Sequence, residues 1–187
     1  MVSLAALWLP IIVSAVLVFV ASSILHMALK YHNADYRKFS NEDDVRAAIN
    51  KGNAPPGMYL MPWAMGSTDM KDPAVVEKFK QGPVAVTYVR PTGMWQMGTL
   101  LGQWFVYLLV VSFFIAYIAC HTIAAGAPYL VVFRVVGAVG FLAYAGARAQ
   151  HAIWWGEPWP VTIKDIIDGL IYGCVTAGTF GWLWPKA

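Results

Sequence analysis

The chain has 187 residues, 59% of them hydrophobic and 12% charged, with a formal net charge of +3. An ordinary soluble domain is about 25% charged, so a purely water-soluble globule is excluded and lipid must cover part of this surface. The small positive balance does not point to nucleic acid, because most of the basic residues fall in one loop and report membrane topology first.

Residues 4–29, LAALWLPIIVSAVLVFVASSILHMAL, carry no acid and no permanent base. At about 1.5 Å per residue such a run crosses a hydrocarbon core of about 30 Å. It is too long for a signal-peptide core and has no basic residue before it, so it reads as a retained first span. Residues 30–95 are different, holding Lys30 and eight further basic residues. Within them a helix is expected near 41–51, from a capping pattern of Ser40 with Asp43 and a stop at Gly52, and another near 73–81, from Asp72-Pro73 to Gly82. VAVTYV at 84–89 reads as extended chain without an evident partner strand.

Further spans are expected at 96–120, 128–147 and 162–183, the last opening on Thr162 and Asp165 as a capping pair after Pro160. The expectation is therefore a single all-α membrane domain over 1–187, a four-helix transmembrane bundle with a cytoplasmic insertion between helices 1 and 2. Placing 30–95 and 148–164 on one side adds Arg148 and Lys164 to the loop's nine basic residues, eleven of the thirteen Lys and Arg. The positive-inside rule then puts the termini outside and the loop in the cytoplasm, as in a bacterial inner membrane protein. Small residues Gly137 and Gly140 in the third span, and Gly169 and Gly173 in the fourth, mark close helix packing within the chain or between subunits.

Ionisable groups inside spans require an account of their own. Asp165 and Asp168 lie in the fourth span, where Lys164 and Asp168, four apart, are placed to pair. Asp168 with Tyr172, Thr176 and Thr179 forms a polar stripe that suits bundle packing or, alternatively, an ion or proton pathway. Arg134 in the third span suits snorkelling to headgroups or a contact with another protein. His26, His32 and His151, with Asp35, Glu157 and Asp165, gather near the cytoplasmic interface and offer imidazole and carboxylate ligands for a transition metal. A turn near Lys30 is needed to bring His26 and His32 together; a haem would need His26 and His151 as its axial pair.

Trp154, Trp155 and Trp159 suit interfacial anchoring, or else an aromatic floor for a lipid, quinone or pigment. The loop methionines suit a flexible contact surface better than a copper site. Cys120 and Cys174 form no CxxC pair, and no glycine-rich phosphate loop, GxSxG, HExxH or EF-hand motif occurs. Three functions follow in order. The first is a non-enzymatic structural or accessory subunit that packs in lipid against other membrane subunits or itself, with no cofactor. The second is a small membrane redox enzyme or carrier with His26, His32, His151, Glu157 and Asp168 around a metal, haem or lipid-like substrate on the cytoplasmic side, and the third an ion or small-solute transporter. The topology is checked by labelling: cysteines introduced at Ser40 and Ser67 are expected to resist impermeant thiol reagents in intact cells and to react after lysis.

Overall fold

A computed structural model describes residues 2–186. It is mostly helical and divides into two compact units, one of Met1–Tyr36 with Gln96–Ala187 and one of Arg37–Trp95. The first contains α1 (Trp8–Ser23), α4 (Met97–Thr122), α5 (Tyr129–Ala145), α6 (Arg148–Trp155) and α7 (Trp159–Trp182). The second contains α2 (Glu42–Lys51), β1 (Gly57–Met61), α3 (Pro73–Gln81) and β2 (Ala85–Val89).

Three helical runs are long and apolar enough to cross a membrane: Leu4–Ala28, Met97–Thr122 and Tyr129–Trp155. The expected fourth, α7, is 24 residues long but carries Lys164, Asp165 and Asp168 and is not among them. It begins at Trp159 with Pro160 in its first turn, three residues before the expected start. Thr162 is therefore no cap; its hydroxyl donates to Glu157 Oε2 (2.8 Å).

The helices of this unit alternate in direction, as interhelical contacts show. Ser14 and Ser112 hydroxyls hydrogen-bond at 3.1 Å, and Trp104 Nε1 donates to Ser22 Oγ at 3.0 Å, so α1 and α4 run antiparallel. These bonds satisfy polar groups in an interface where lipid supplies no hydrophobic drive. The glycine stripes of α5 and α7 meet each other. A Cβ on Gly140 would lie 3.1 Å from Gly173 Cα, and one on Gly173 2.9 Å from Phe141 N. One on Gly169 would lie 2.6 Å from Ala145 Cβ, and one on Gly137 3.4 Å from Ala177 Cβ. At the far end Trp184 Nε1 donates to Ala124 O (2.9 Å), tying the end of the described chain to the α4–α5 turn. Consequently the segment after α1, the start of α4, α6 and the start of α7 share one end of the unit. Phe180, Leu7, Ile115 and Val136 are fully buried towards the other end.

The Arg37–Trp95 unit corrects two sequence expectations. VTYV is not unpartnered: β2 pairs antiparallel with β1, Tyr59 opposite Thr87 and Met61 opposite Ala85. The first helix has Asn41 at its N-cap without a side-chain bond, so the Ser40–Asp43 capping pattern does not form. Glu42, Asp43 and Asp44 instead place three acids in its first turn, where the helix dipole favours them. In α3 the expected cap is present, with Asp72 Oδ1 accepting from Ala74 N at 2.8 Å.

Close packing of α5 on α7 makes a quantitative prediction. Gly173→Val is expected to destabilise the protein in detergent by about 1–3 kcal/mol, the usual cost of overpacking. Gly98→Ala, where an added Cβ meets nothing within 4 Å, should be neutral or stabilising by up to about 1 kcal/mol. Thermal melting of both variants beside the parent checks the contrast.

Candidate functional site

The end of α1 does not simply stop. Its last turn widens at Ile24–Ala28, where the Leu29 N–H reaches Ile24 O (3.0 Å), and this wide turn carries His26. Single wide turns of this kind are frequent at functional sites. Lys30 then takes left-handed backbone angles (φ 53°, ψ 17°), which are uncommon for a residue with a side chain. The chain reverses there, and the short helical turn Tyr31–Asp35 folds back onto α7. The reversal brings the His26 and His32 rings together, tilted to each other with centroids 4.5 Å apart, despite their six-residue separation.

Asp168 is the centre of what results. It is 3% exposed. Its Oδ1 accepts the Tyr31 hydroxyl, and its Oδ2 lies 2.9 Å from His32 Nε2 and 3.6 Å from His26 Nδ1. His32 Nδ1 is 2.7 Å from Asp35 Oδ2, and Asp35 Oδ1 accepts from Lys164 Nζ. Lys164 Nζ also donates to the Tyr31 carbonyl (3.0 Å), locking the turn to α7. The expected Lys164–Asp168 pair is thus replaced: Lys164 serves Asp35, and Asp168 takes its donors from the 31–35 turn.

The electrostatics follow these contacts. Burial and the bond to Asp168 push the Tyr31 phenol above its ordinary value, so it remains a donor. Burial alone would lower His32, but the hydrogen bonds to Asp168 and Asp35 outweigh it and raise the imidazole. The Lys164 ammonium, against the opposing effect of burial and assisted by His32, holds Asp35 below the usual carboxylate range.

A second charged group lies one helical turn back along α7. Arg148 Nη2 donates to Glu157 Oε1 (2.9 Å) and Oε2 (3.1 Å) and also to Asp165. Arg148 Nε is buried with no partner. Between the two groups is a cleft of about 390 Å³ whose lining includes His26, Asp168, Asp165 and Arg148 together with Trp104, Tyr107, Tyr144 and Tyr172.

Of the histidines and acids singled out from the sequence, the fold brings His26, His32 and Asp168 together. One donor atom from each of the three lies within 4.8 Å of the others. Asp35 stands one bond behind His32, while Glu157 is held by Arg148 and Thr162. His151 is on α6 and not in the three-residue group; its carbonyl accepts from Glu157 N. His26 Nδ1 faces Asp168. Arg134 is exposed on α5 and makes no ion pair among the described residues. Trp154, Trp155 and Trp159 are exposed, and the aromatic lining of the cleft comes from α4, α5 and α7 instead. Tyr31 and Trp104 carried no sequence signal of their own. The i, i+3 spacing of His32 and Asp35 is the one pattern that would have linked Asp35 to His32.

The Arg148 group allows a direct comparison of ion pairs. Arg148→Ala leaves Glu157 and Asp165 half-buried without their cation and is expected to cost about 1–3 kcal/mol. Lys38→Ala breaks an exposed pair to Glu42 and should cost less than about 1 kcal/mol; melting curves of the two variants test the ordering. No family model matches the chain, no curated protein is similar to it, and no solved structure matches its fold, so the site itself is what a functional reading has to rest on.

Proposed function

We propose that this chain is a small metal-dependent redox enzyme or carrier of the membrane, with a divalent transition metal held by His26, His32 and Asp168. One observation carries the reading: the His32 imidazole is engaged at both nitrogens, Nε2 towards Asp168 and Nδ1 towards Asp35, with His26 beside it. Metal-binding histidines commonly hold a carboxylate on the far nitrogen, which fixes the tautomer and makes the ring a better ligand. Asp35 is placed for that task and is itself fixed by Lys164. The Tyr31 hydroxyl does the same for the second oxygen of Asp168.

The donor set fits. A four-coordinate ion at about 2.0–2.1 Å from each ligand wants donors about 3.3 Å apart. The His32–Asp168 and His26–Asp168 separations of 2.9 Å and 3.6 Å bracket that value. Two imidazoles and one carboxylate with further positions open suit iron(II), the ion a redox role needs, and also accept zinc, which has no redox chemistry of its own. Binding would displace the proton that the two carboxylates otherwise stabilise on His32.

In the same reading α7 is the fourth span. Its lengthwise packing on α5 and the inward burial of Asp168 support this in spite of its three charges. The gathering of Lys30, Arg148 and Lys164 at one end supports a cytoplasmic site and insertion, with outward termini, in a bacterial inner membrane. A second reading, an accessory subunit docking on other membrane proteins, is favoured by the exposed Trp63, Met65, Met94 and Trp95 of the Arg37–Trp95 unit.

The test is metal content. Protein purified in mild detergent, stripped with chelator and reloaded with zinc(II), cobalt(II) or iron(II), is expected to retain about one ion per chain after desalting. His26→Ala, His32→Ala and Asp168→Asn should each fall to background, whereas His151→Ala should not. Equal retention in all four variants, or none in the parent, would overturn the assignment.

A further inference from the structure

We infer that the aromatic cleft beside this group binds the ring of a lipid-soluble quinone or quinol. The inference extends the metal reading and shares Asp168 and His26 with it, while the aromatic wall and Arg148 that also select the ring lie outside the proposed ligands. Trp104 and Tyr107 form a stacked pair on α4, with centroids 5.3 Å apart and planes inclined by 21°. Tyr172 stands edge-on to Trp104 at 6.2 Å and to Tyr144 at 5.7 Å. These rings make an apolar wall suited to a flat ligand, since aromatic groups gain from stacked and edge-on contact beyond the area they bury.

Two polar groups line the same cleft as that wall, Asp165 with Arg148 and Asp168 with His26. The two aspartates are three residues apart on one helical face, so their side chains leave the backbone about 5–6 Å from each other. A ring with oxygen atoms at opposite edges matches this arrangement. The Arg148 side chain lines the cleft and is partly exposed to it, so its guanidinium can present a donor to a carbonyl or hydroxyl oxygen of the ligand.

Charge selects an uncharged ligand. Asp165, Asp168 and Glu157 already surround Arg148 and His26, so a carboxylate or phosphate would bring a further negative charge against three. The exit selects a lipid. Tyr107 is 42% exposed on a helix that is long and apolar enough to span the membrane, so the cleft opens through a surface suited to hydrocarbon. A neutral ring with an alkyl tail satisfies all four conditions: flatness, two polar edges, no charge and an apolar exit.

The probe is a benzoquinone bearing one isoprenoid unit, measured by equilibrium dialysis against the full chain in detergent, both chelated and metal-loaded. Saturable binding near one ring per chain is expected in both forms. Tyr107→Ala should weaken it about ten-fold, as loss of an aromatic contact does, and Tyr117→Ala, an exposed ring of α4 outside the cleft, should leave it unchanged. An isoprenoid alcohol of matching length should not compete. Non-saturable uptake, equal binding by Tyr107→Ala, or full competition by the alcohol would each overturn the inference. Ring binding without metal uptake would remove the metal reading alone, and metal uptake without ring binding would remove this one alone.

Discussion

A carboxylate buried among apolar helices has to be met by donors, and Asp168 imposes that requirement on everything around it. The helix that carries it cannot supply them. They come from a turn that follows α1, and the turn reaches Asp168 only because the helix end widens at Ile24–Ala28 and the backbone reverses at Lys30. A left-handed residue with a side chain costs about 1–3 kcal/mol and persists only where its surroundings over-determine it. Tyr31, His32 and Lys164 do so here, each bonding across between the turn and α7.

The rotation of α7 is fixed by glycine. Gly169 and Asp168 are neighbours, so about 100° of helix separates their directions. Gly169 is pressed against Ala145 and Gly173 against Phe141, a close approach that only glycine at those positions allows. That setting directs Asp168 to the 31–35 turn and Asp165 to Arg148. Packing and chemistry are therefore linked: a larger residue in the glycine stripe would move α7 outward and carry both carboxylates with it. The same geometry leaves the cleft, because α7 meets α5 closely while Tyr172 and Asp168 face a space bounded by α4.

Much of this was legible in the sequence, for physical reasons that differ from element to element. Apolar length marked the three runs that suit a bilayer together with α7, and small residues at intervals of three and four marked the close-packing faces of α5 and α7 without showing that they pack on each other. His26, His32 and Asp168 stood out because ionisable groups near apolar runs are rare. Their convergence was not legible, since it depends on one backbone conformation at Lys30. Lys164 illustrates the limit: spacing on one helix favoured Asp168, but the folded turn brought Asp35 closer and left Asp168 to Tyr31 and His32. The β1 strand was hidden for a different reason, because GMYLM does not alternate and prolines flank it on both sides. Trp104 was one tryptophan among nine until its ring was placed over the cleft.

Charge arithmetic connects the two groups across the cleft. With His32 protonated, Asp168 and Asp35 are balanced by His32 and Lys164, so that group is neutral. The neighbouring group of Arg148, Glu157 and Asp165 carries one net negative charge, and the whole end of the bundle therefore carries one as well. Replacing the His32 proton by a divalent ion makes the first group singly positive, and the two groups then cancel. Low-dielectric surroundings favour the neutral arrangement, since uncompensated charge is what burial penalises. An uncharged ring, as proposed for the cleft, would leave that charge unaltered with or without the ion, whereas an anion would add to it.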